Sequence, residues 1–392
     1  MKQTFIFFGL LLLGFQKLSA QTLAQDRANS LKKGVNLTYF EAYWNGDPAL
    51  RYKNYLNVSQ LPAKKNNIQK MAAAGFDNVR VPICFDVWTS QNPPYSLYDS
   101  PTYFSAVDSV VKYALANNLK VIIDFHHGQL SNGTMGREVP RIKALWMEIA
   151  TRYKNTDPNK VFFEIYNEPN DISVANWQTA AEQFVQVIRV ITPNHSIIVG
   201  ANEWNSTNAL ANNTLTKLSD DNIIYTFHFY DPFIFTHQGA EWTGDPTSTT
   251  GIKFPYAAGT MPPINPKAAA TWAQGAYNNY VNDGTKASLK NTVQQVKNWA
   301  TQRGVPIYAG EFGAYGNFSD QTSRCNLATA DIEIFGELGI PWSWWEWDEG
   351  FSMLQGNKAD GILDPCFKNV MNRFNSVVTP CSNCIDIRVI KR

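Results

Sequence analysis

The feature that most constrains this chain is a repeated alternation. Eight short runs rich in β-branched and aromatic residues fall at 34–37, 78–82, 120–125, 161–166, 196–201, 223–229, 306–309 and 341–345. Between them, 63–74, 103–117, 142–154, 174–190, 289–303 and 322–338 carry apolar residues at helical spacing. In 103–117, for example, Val107, Val110, Val111 and Leu115 share one helical face. Parallel strands need long crossovers, and amphipathic helices of this length supply them. Eight such units predict a single-domain α/β fold, the (β/α)8 or TIM barrel. One stretch breaks the rhythm. The long loop 231–286, after the sixth strand, holds Phe233, Phe235, Trp242, Phe254, Tyr256, Trp272, Tyr277 and Tyr280. So many aromatics argue against disorder, and they suit either a self-packed excursion or a ligand surface.

The first residues add a second expectation. Met1-Lys2 precedes an apolar run from Phe5 to Phe15 and a small-residue end at Ser19-Ala20. This is the pattern of a secretory signal peptide, too short to span a bilayer. The expected organisation is a signal peptide at 1–20, a barrel at 21–375 and a tail at 376–392. The expected location is secreted or periplasmic, with no membrane contact after cleavage. The 392 residues hold 34 Lys plus Arg and 33 Asp plus Glu; removing Lys2 and Lys17 leaves 32 basic residues. That balance offers no basic field for a polyanion and excludes nucleic acid as a partner. Five cysteines leave at least one without an intrachain partner. Cys84 follows a strand pattern and reads as a buried free thiol. Pairing among Cys325, Cys366, Cys381 and Cys384 stays open. Cys381-Ser-Asn-Cys384 lacks the second pair that a zinc site needs.

Polar residues collect where the apolar strands end. Arg80 lies within Asn78-Val79-Arg80-Val81-Pro82, and His126 and His127 follow Val121–Phe125. Asn167 and Glu168 follow the fourth strand, His228 and Tyr230 end the sixth, Glu311 ends the seventh and Trp345 the eighth. In a barrel these carboxyl ends converge on one face, where such folds place their sites. Two carboxylates there suit glycoside hydrolysis, which needs a proton donor and a nucleophile or base. Pro169 holds Glu168 extended, and Gly310 and Gly313 let the backbone turn around Glu311. His127, next to His126, should point to the opposite side by strand alternation. Glu164 has the parity to face the interior without reaching substrate. Glu203, Trp204 and Glu346 suit either substrate contact or rim ion pairs. The five His lack HExxH or His-x-His spacing, so no metal and no cofactor are expected.

Ile165-Tyr166-Asn167-Glu168-Pro169 and Gly310-Glu311-Phe312-Gly313 resemble the two catalytic signatures of glycoside hydrolase family 5, the cellulase family. Asp124-Phe125-His126-His127, His228-Phe229-Tyr230 and Trp342-Ser343-Trp344-Trp345-Glu346 resemble its other motifs, in the family's order, from about 34 to 351. The resemblance implies roles. Glu168 would be the acid/base and Glu311 the nucleophile of a retaining enzyme. Asn167 would bond the sugar 2-hydroxyl, and Tyr230 would hold the carboxylate of Glu311. Arg80 would sit beneath Glu311 and keep it ionised. His126 and His228 would line the same subsite, over a floor made by Trp345. It also implies a cis peptide after that Trp.

The expected activity is endo-cleavage of β-1,4-glucan by a monomer, in a cleft paved by Trp44, Trp204, Trp242, Trp345 and Trp347. A β-mannanase, xyloglucanase or β-1,3-glucanase would use the same chemistry. A non-catalytic carbohydrate-binding barrel is the remaining alternative, and the presence of both Glu residues counts against it.

Overall fold

A computed structural model describes residues 22–41, 61–212 and 215–376. The expected signal peptide, Trp44, Cys381, Cys384 and the tail past Ser376 lie outside the described residues. All eight expected strands are present: β1 (Lys33–Asn36), β2 (Asn78–Ile83), β3 (Lys120–Phe125), β4 (Val161–Glu164), β5 (Ile197–Val199), β6 (Ile223–Phe229), β7 (Ile307–Phe312) and β8 (Trp342–Trp344). Each pairs in parallel with the next, and β8 returns to β1 to close the barrel. The register is continuous across β2, β3 and β4, with Pro82 opposite Asp124 and Asp124 opposite Glu164.

Six outer helices match the expected amphipathic stretches: Leu61–Ala74, Pro101–Ala116, Met135–Tyr153, Val174–Ile191, Lys286–Arg303 and Gln321–Leu338. The third begins well before the expected 142. It carries Pro140 near its start, where a missing N–H costs only one backbone bond. A helix the strand–helix rhythm did not predict, Leu23–Leu31, is capped by Thr22, whose hydroxyl accepts from the Gln25 N–H at 3.2 Å. It closes the barrel floor. Ala28 and Leu31 pack with Ile122, Phe162, Ile198, Ile224 and Tyr308, all fully buried. Interior positions recur every second residue along a strand. Two residues past Ile122 and Phe162, the same inner face therefore carries Asp124 and Glu164.

The 231–286 excursion is largely self-packed. It folds into short helices at Phe233–Thr236, Pro266–Ala269 and Ala273–Asp283. Gln238 pins it by donating to the Ile252 carbonyl at 3.1 Å and accepting from the Ile252 N–H at 2.9 Å. Phe235, Phe254 and Tyr280 are buried, whereas Trp242 and Trp272 are about half exposed. Cys325 and Cys366 form a disulfide that ties helix Gln321–Leu338 to helix Pro365–Ser376, and Cys84 is buried outside that bridge. No helix among the described residues is long and apolar enough to cross a membrane.

Candidate active site

The site is built around one buried cation. Arg80, on β2, is fully buried and uses every face of its guanidinium. Nε and Nη2 donate to the two oxygens of Glu164 at 2.7 and 2.8 Å. Nη1 donates to Glu311 Oε1 at 2.7 Å and to Asn36 Oδ1 at 2.9 Å. Nη2 also reaches Asn167 Oδ1 at 2.6 Å and Asp124 Oδ2 at 3.0 Å. A planar fork of donors suits such a hub better than an ammonium would. Yet a single cation serves three carboxylates. Burial pushes Asp124 up to about 7 and raises Glu164 as well. It also pushes Glu311 up to about 7, with His228 and Arg80 pulling the other way. The charge of Arg80 is thus divided among three carboxylates, and burial outweighs the share that reaches Glu311.

Glu311 reaches this hub through a bulge. Tyr308 faces inward, so simple alternation would turn Gly310 inward and Glu311 outward. The β6–β7 register shifts instead: Phe227 pairs with Ala309, and His228 pairs with Glu311. Gly310 is the extra residue, and the bulge returns Glu311 to the interior. A Cβ at Gly310 would lie 2.8 Å from Thr226 Oγ1, so the close approach excludes a side chain there. The Gly310 carbonyl accepts from Asn36 Nδ2 at 3.0 Å. Glu311 therefore lies within β7, not at its end, and Gly310 acts inside the ladder, not in a turn. Gly313 meets a similar limit, because a Cβ there would lie 2.5 Å from the Trp345 carbonyl oxygen.

Glu168 stands across the mouth, just beyond β4. The Asn167 N–H donates to the Phe125 carbonyl at 3.0 Å and fixes the turn. Glu168 Oε1 and His228 Nδ1 are hydrogen-bonded at 2.6 Å, and the same Nδ1 lies 3.5 Å from Glu311 Oε2. A carboxylate oxygen of each Glu falls within 4.8 Å of the other. Their surroundings differ. The Glu311 side chain is 5% exposed and the Glu168 side chain 30%. Glu311 accepts from Arg80 and, at 2.9 Å, from the Tyr230 hydroxyl, whereas Glu168 has His228. Burial pushes Glu168 up to about 7 and His228 down to about 4, leaving the imidazole neutral at neutral pH. Burial and the neighbouring Glu311 raise Tyr230, which stays a donor.

The rest of the mouth is aromatic. His126 stacks on Trp345 with centroids 5.5 Å apart and planes 6° from parallel. Its Nδ1 lies 2.6 Å from Asp124 Oδ2, and burial keeps the ring neutral. The Trp345–Glu346 peptide is cis. Trp204 and Trp242 are exposed at the rim, and Trp345 is partly exposed. The Trp204 backbone N–H donates to the carbonyl of Pro169, the residue after Glu168, at 3.2 Å.

Two expectations change, one open alternative narrows, and one residue is new. His127 does not turn away: its Nε2 lies 3.1 Å from Glu41 Oε1, and its ring packs edge-on against His126. Strand alternation fails there because β3 ends at Phe125. Trp347 is buried, with its ring on Phe76, so it is core and not platform. Glu346 forms no rim ion pair among the described residues; its Oε1 accepts from the Phe351 N–H at 3.1 Å. Glu41 was not foreseen at all. Its signal was only a position on the loop after β1, on the same barrel face. Glu41, His126 and His127 bring three ligand-type atoms within 4.8 Å, as do Glu168, His228 and Glu311. In the second group the anionic charge of Glu311 already meets the Arg80 cation.

A (β/α)8 barrel with two facing carboxylates at its mouth is the arrangement of glycoside hydrolases. The profile of the cellulases, glycosyl hydrolase family 5, matches residues 31–350, and the chain belongs to that family. It is 30% identical over 362 residues to Endoglucanase 3 of Fibrobacter succinogenes, covering 87% of this chain and 53% of the relative. The chain thus spans about half the length of that relative. It is 25% identical over 329 residues to Endoglucanase C of Acetivibrio thermocellus, covering 81% of this chain and 91% of the relative. Among solved structures it resembles Cel5A of Thermotoga maritima in complex with cellobiose. That likeness has a TM-score of 0.70 and 27% identity, over 88% of this chain and 99% of the other. The same enzyme in complex with mannotriose matches equally, again with a TM-score of 0.70 and 27% identity.

Proposed function

We propose that this chain is a secreted, monomeric endo-β-1,4-glucanase that retains anomeric configuration, with Glu311 as nucleophile and Glu168 as acid/base. One observation carries the reading: two carboxylates approach within 4.8 Å, and only one of them is bonded to Arg80 and Tyr230. Retaining enzymes hold their carboxyls about 5–5.5 Å apart, whereas inverting enzymes leave about 6.5–9.5 Å for a water. Two groups this close titrate as a pair. Donors favour the anion at Glu311, so the shared proton rests on Glu168, which faces the open cleft.

In the first step Glu168 gives its proton to the glycosidic oxygen while a Glu311 oxygen attacks the anomeric carbon. The C–O bond to the leaving sugar breaks, and a glycosyl ester forms on Glu311. In the second step Glu168 takes a proton from water, the water oxygen attacks the same carbon, and Glu311 leaves as a carboxylate. Asn167, held by Arg80, is placed to meet the 2-hydroxyl. His126 stacks beneath with Trp345 to form the floor. His228 bridges the two carboxylates and keeps them in register. Activity falls at low pH as Glu311 gains a proton, and at high pH as Glu168 loses one.

The open mouth with exposed Trp204 and Trp242 supports endo action, because flat rings accept the C–H faces of a sugar ribbon. The mannotriose complex of the Thermotoga maritima relative supports a second reading, β-mannan cleavage by the same residues. Incubation with carboxymethyl-cellulose and with mannan separates them. A steep early fall in viscosity on the glucan alone is expected; strong mannan cleavage with an inert glucan would replace the first reading with the second.

A further inference from the structure

The excursion after β6 lines a partly open cavity of about 290 Å³ whose walls include neither Glu168 nor Glu311. That volume is near the lower bound of small-molecule sites, about 300 Å³. Its walls come from three places: Asp231 and Phe233 just past β6, Trp272, Tyr280 and Asp283 on or beside helix Ala273–Asp283, and Ser288 in the first turns of helix Lys286–Arg303. Phe233 separates this space from the catalytic face. On one side it stacks on His237 at 4.1 Å, and His237 packs against Tyr230 at 4.9 Å. Phe233 is also inclined to Trp272 at 6.1 Å. Trp272 is 57% exposed, while Tyr280 and Phe235 in the same excursion are fully buried. More than half of the Trp272 surface is therefore left over from the packing that holds the loop.

The polar groups point to the ligand class. Asp231 makes no hydrogen bond or ion pair with its carboxylate among the described residues, although burial and Asp283 push it up to about 6. Two carboxylates exclude an anionic ligand. Asp231 and Asp283 belong to no group of three ligand atoms converging on one point among the described residues, so no cation cage is preformed. A molecule with hydroxyl donors and an apolar face meets both kinds of wall. Indole and phenyl walls take C–H faces, and carboxylates with a serine hydroxyl take O–H groups. A sugar ring has both.

We propose that this cavity is a second carbohydrate-binding site, separate from the cleft, holding a glycosyl unit of a β-linked glucan chain. The choice of glucan rests on the functional reading above. The site would hold the polysaccharide against the enzyme while the cleft acts on another segment. The test uses the full chain carrying Glu311→Gln, so that cellohexaose survives titration calorimetry. Two binding events per chain are expected. Adding Trp272→Ala should reduce them to one, or weaken the second about tenfold. Asp283→Asn, an isosteric change, serves as an independent variant and should weaken the same event. A single event in all three proteins would overturn the inference. Hydrolysis of an aryl β-cellobioside by the unaltered chain, measured in parallel, keeps the two claims apart. Turnover with only one binding event rejects the second site alone, whereas no turnover rejects the proposed activity.

Discussion

The lower and upper halves of the barrel interior stand on the same strands and hold opposite chemistry. Below, Ile122, Phe162, Ile198, Ile224 and Tyr308 meet Ala28 and Leu31 in a dry plug. Above, Asp124 and Glu164 follow at the next inward positions and join Glu311 around Arg80. Burying each large apolar side chain below contributes about 1.5–3 kcal/mol. Burying ions above carries a desolvation cost that attraction repays only with good geometry. The difference teaches where the fold draws its stability and where it spends it. The plug fixes the strands, and the strands then hold in place a charged cluster that would not assemble alone.

Substitutions in the two halves should separate these roles. The largest effect belongs to Glu311→Gln, which should lower kcat by about 10⁴-fold or more while leaving the thermal midpoint unchanged or higher. Kinetics on an aryl cellobioside beside a thermal melt would check both parts, and near-normal turnover would refute the role given to Glu311. Phe162→Ala, in the plug, should cost about 3–5 kcal/mol in urea unfolding. Its folded fraction should keep the pH profile of the parent. A shifted profile would mean that the halves are coupled, not layered.

Gly310→Ala tests the device that joins them. A Cβ would push against Thr226 and move Glu311, and a misplacement of about 1 Å costs about 10²-fold in rate. Steady-state kcat should fall by that order with a smaller loss of stability; full activity would show that the bulge is not what aims the carboxylate. The last test lies outside both halves. Asp331, on helix Gln321–Leu338, is fully buried, neither of its oxygens has a partner among the described residues, and burial holds it well above the usual aspartate range. Its folded form keeps a proton that the unfolded chain releases above about pH 4. Stability is therefore present below that value and is lost as pH rises, by at most about 1.4 kcal/mol per unit. Asp331→Asn should flatten this fall in melts taken between pH 5 and 8.

The strand–helix rhythm made the barrel legible because most strands are short runs dominated by β-branched and aromatic residues, although β1 is only Lys-Gly-Val-Asn. His126, Asn167, Glu168, Tyr230 and Trp345 were legible because polar or aromatic side chains stood where strands stopped, whereas Arg80 and Glu311 lie inside β2 and β7. What escaped reading depended on partners distant in sequence. Alternation alone would have aimed Glu311 outward, and only pairing with β6 reveals the bulge at Gly310. Glu41 shows its place only when the segments after β1 and β3 meet across β2 and bring it to His127. Trp347 read as a platform because it sits next to Trp345, but packing against Phe76 buries it. Helix Leu23–Leu31 escaped because sequence alone does not show a barrel floor in need of a lid.

The most direct test of the central claim is the configuration of the first product. If Glu311 attacks and Glu168 then activates water, two inversions occur at one carbon. Cellopentaose added to the enzyme in deuterated buffer and followed by proton NMR over the first minutes should show the β-anomer of the new reducing end first. The α-anomer should appear later, at the rate of mutarotation. An α-anomer released first would mean a single displacement by water and would contradict the assignment of Glu311 as nucleophile.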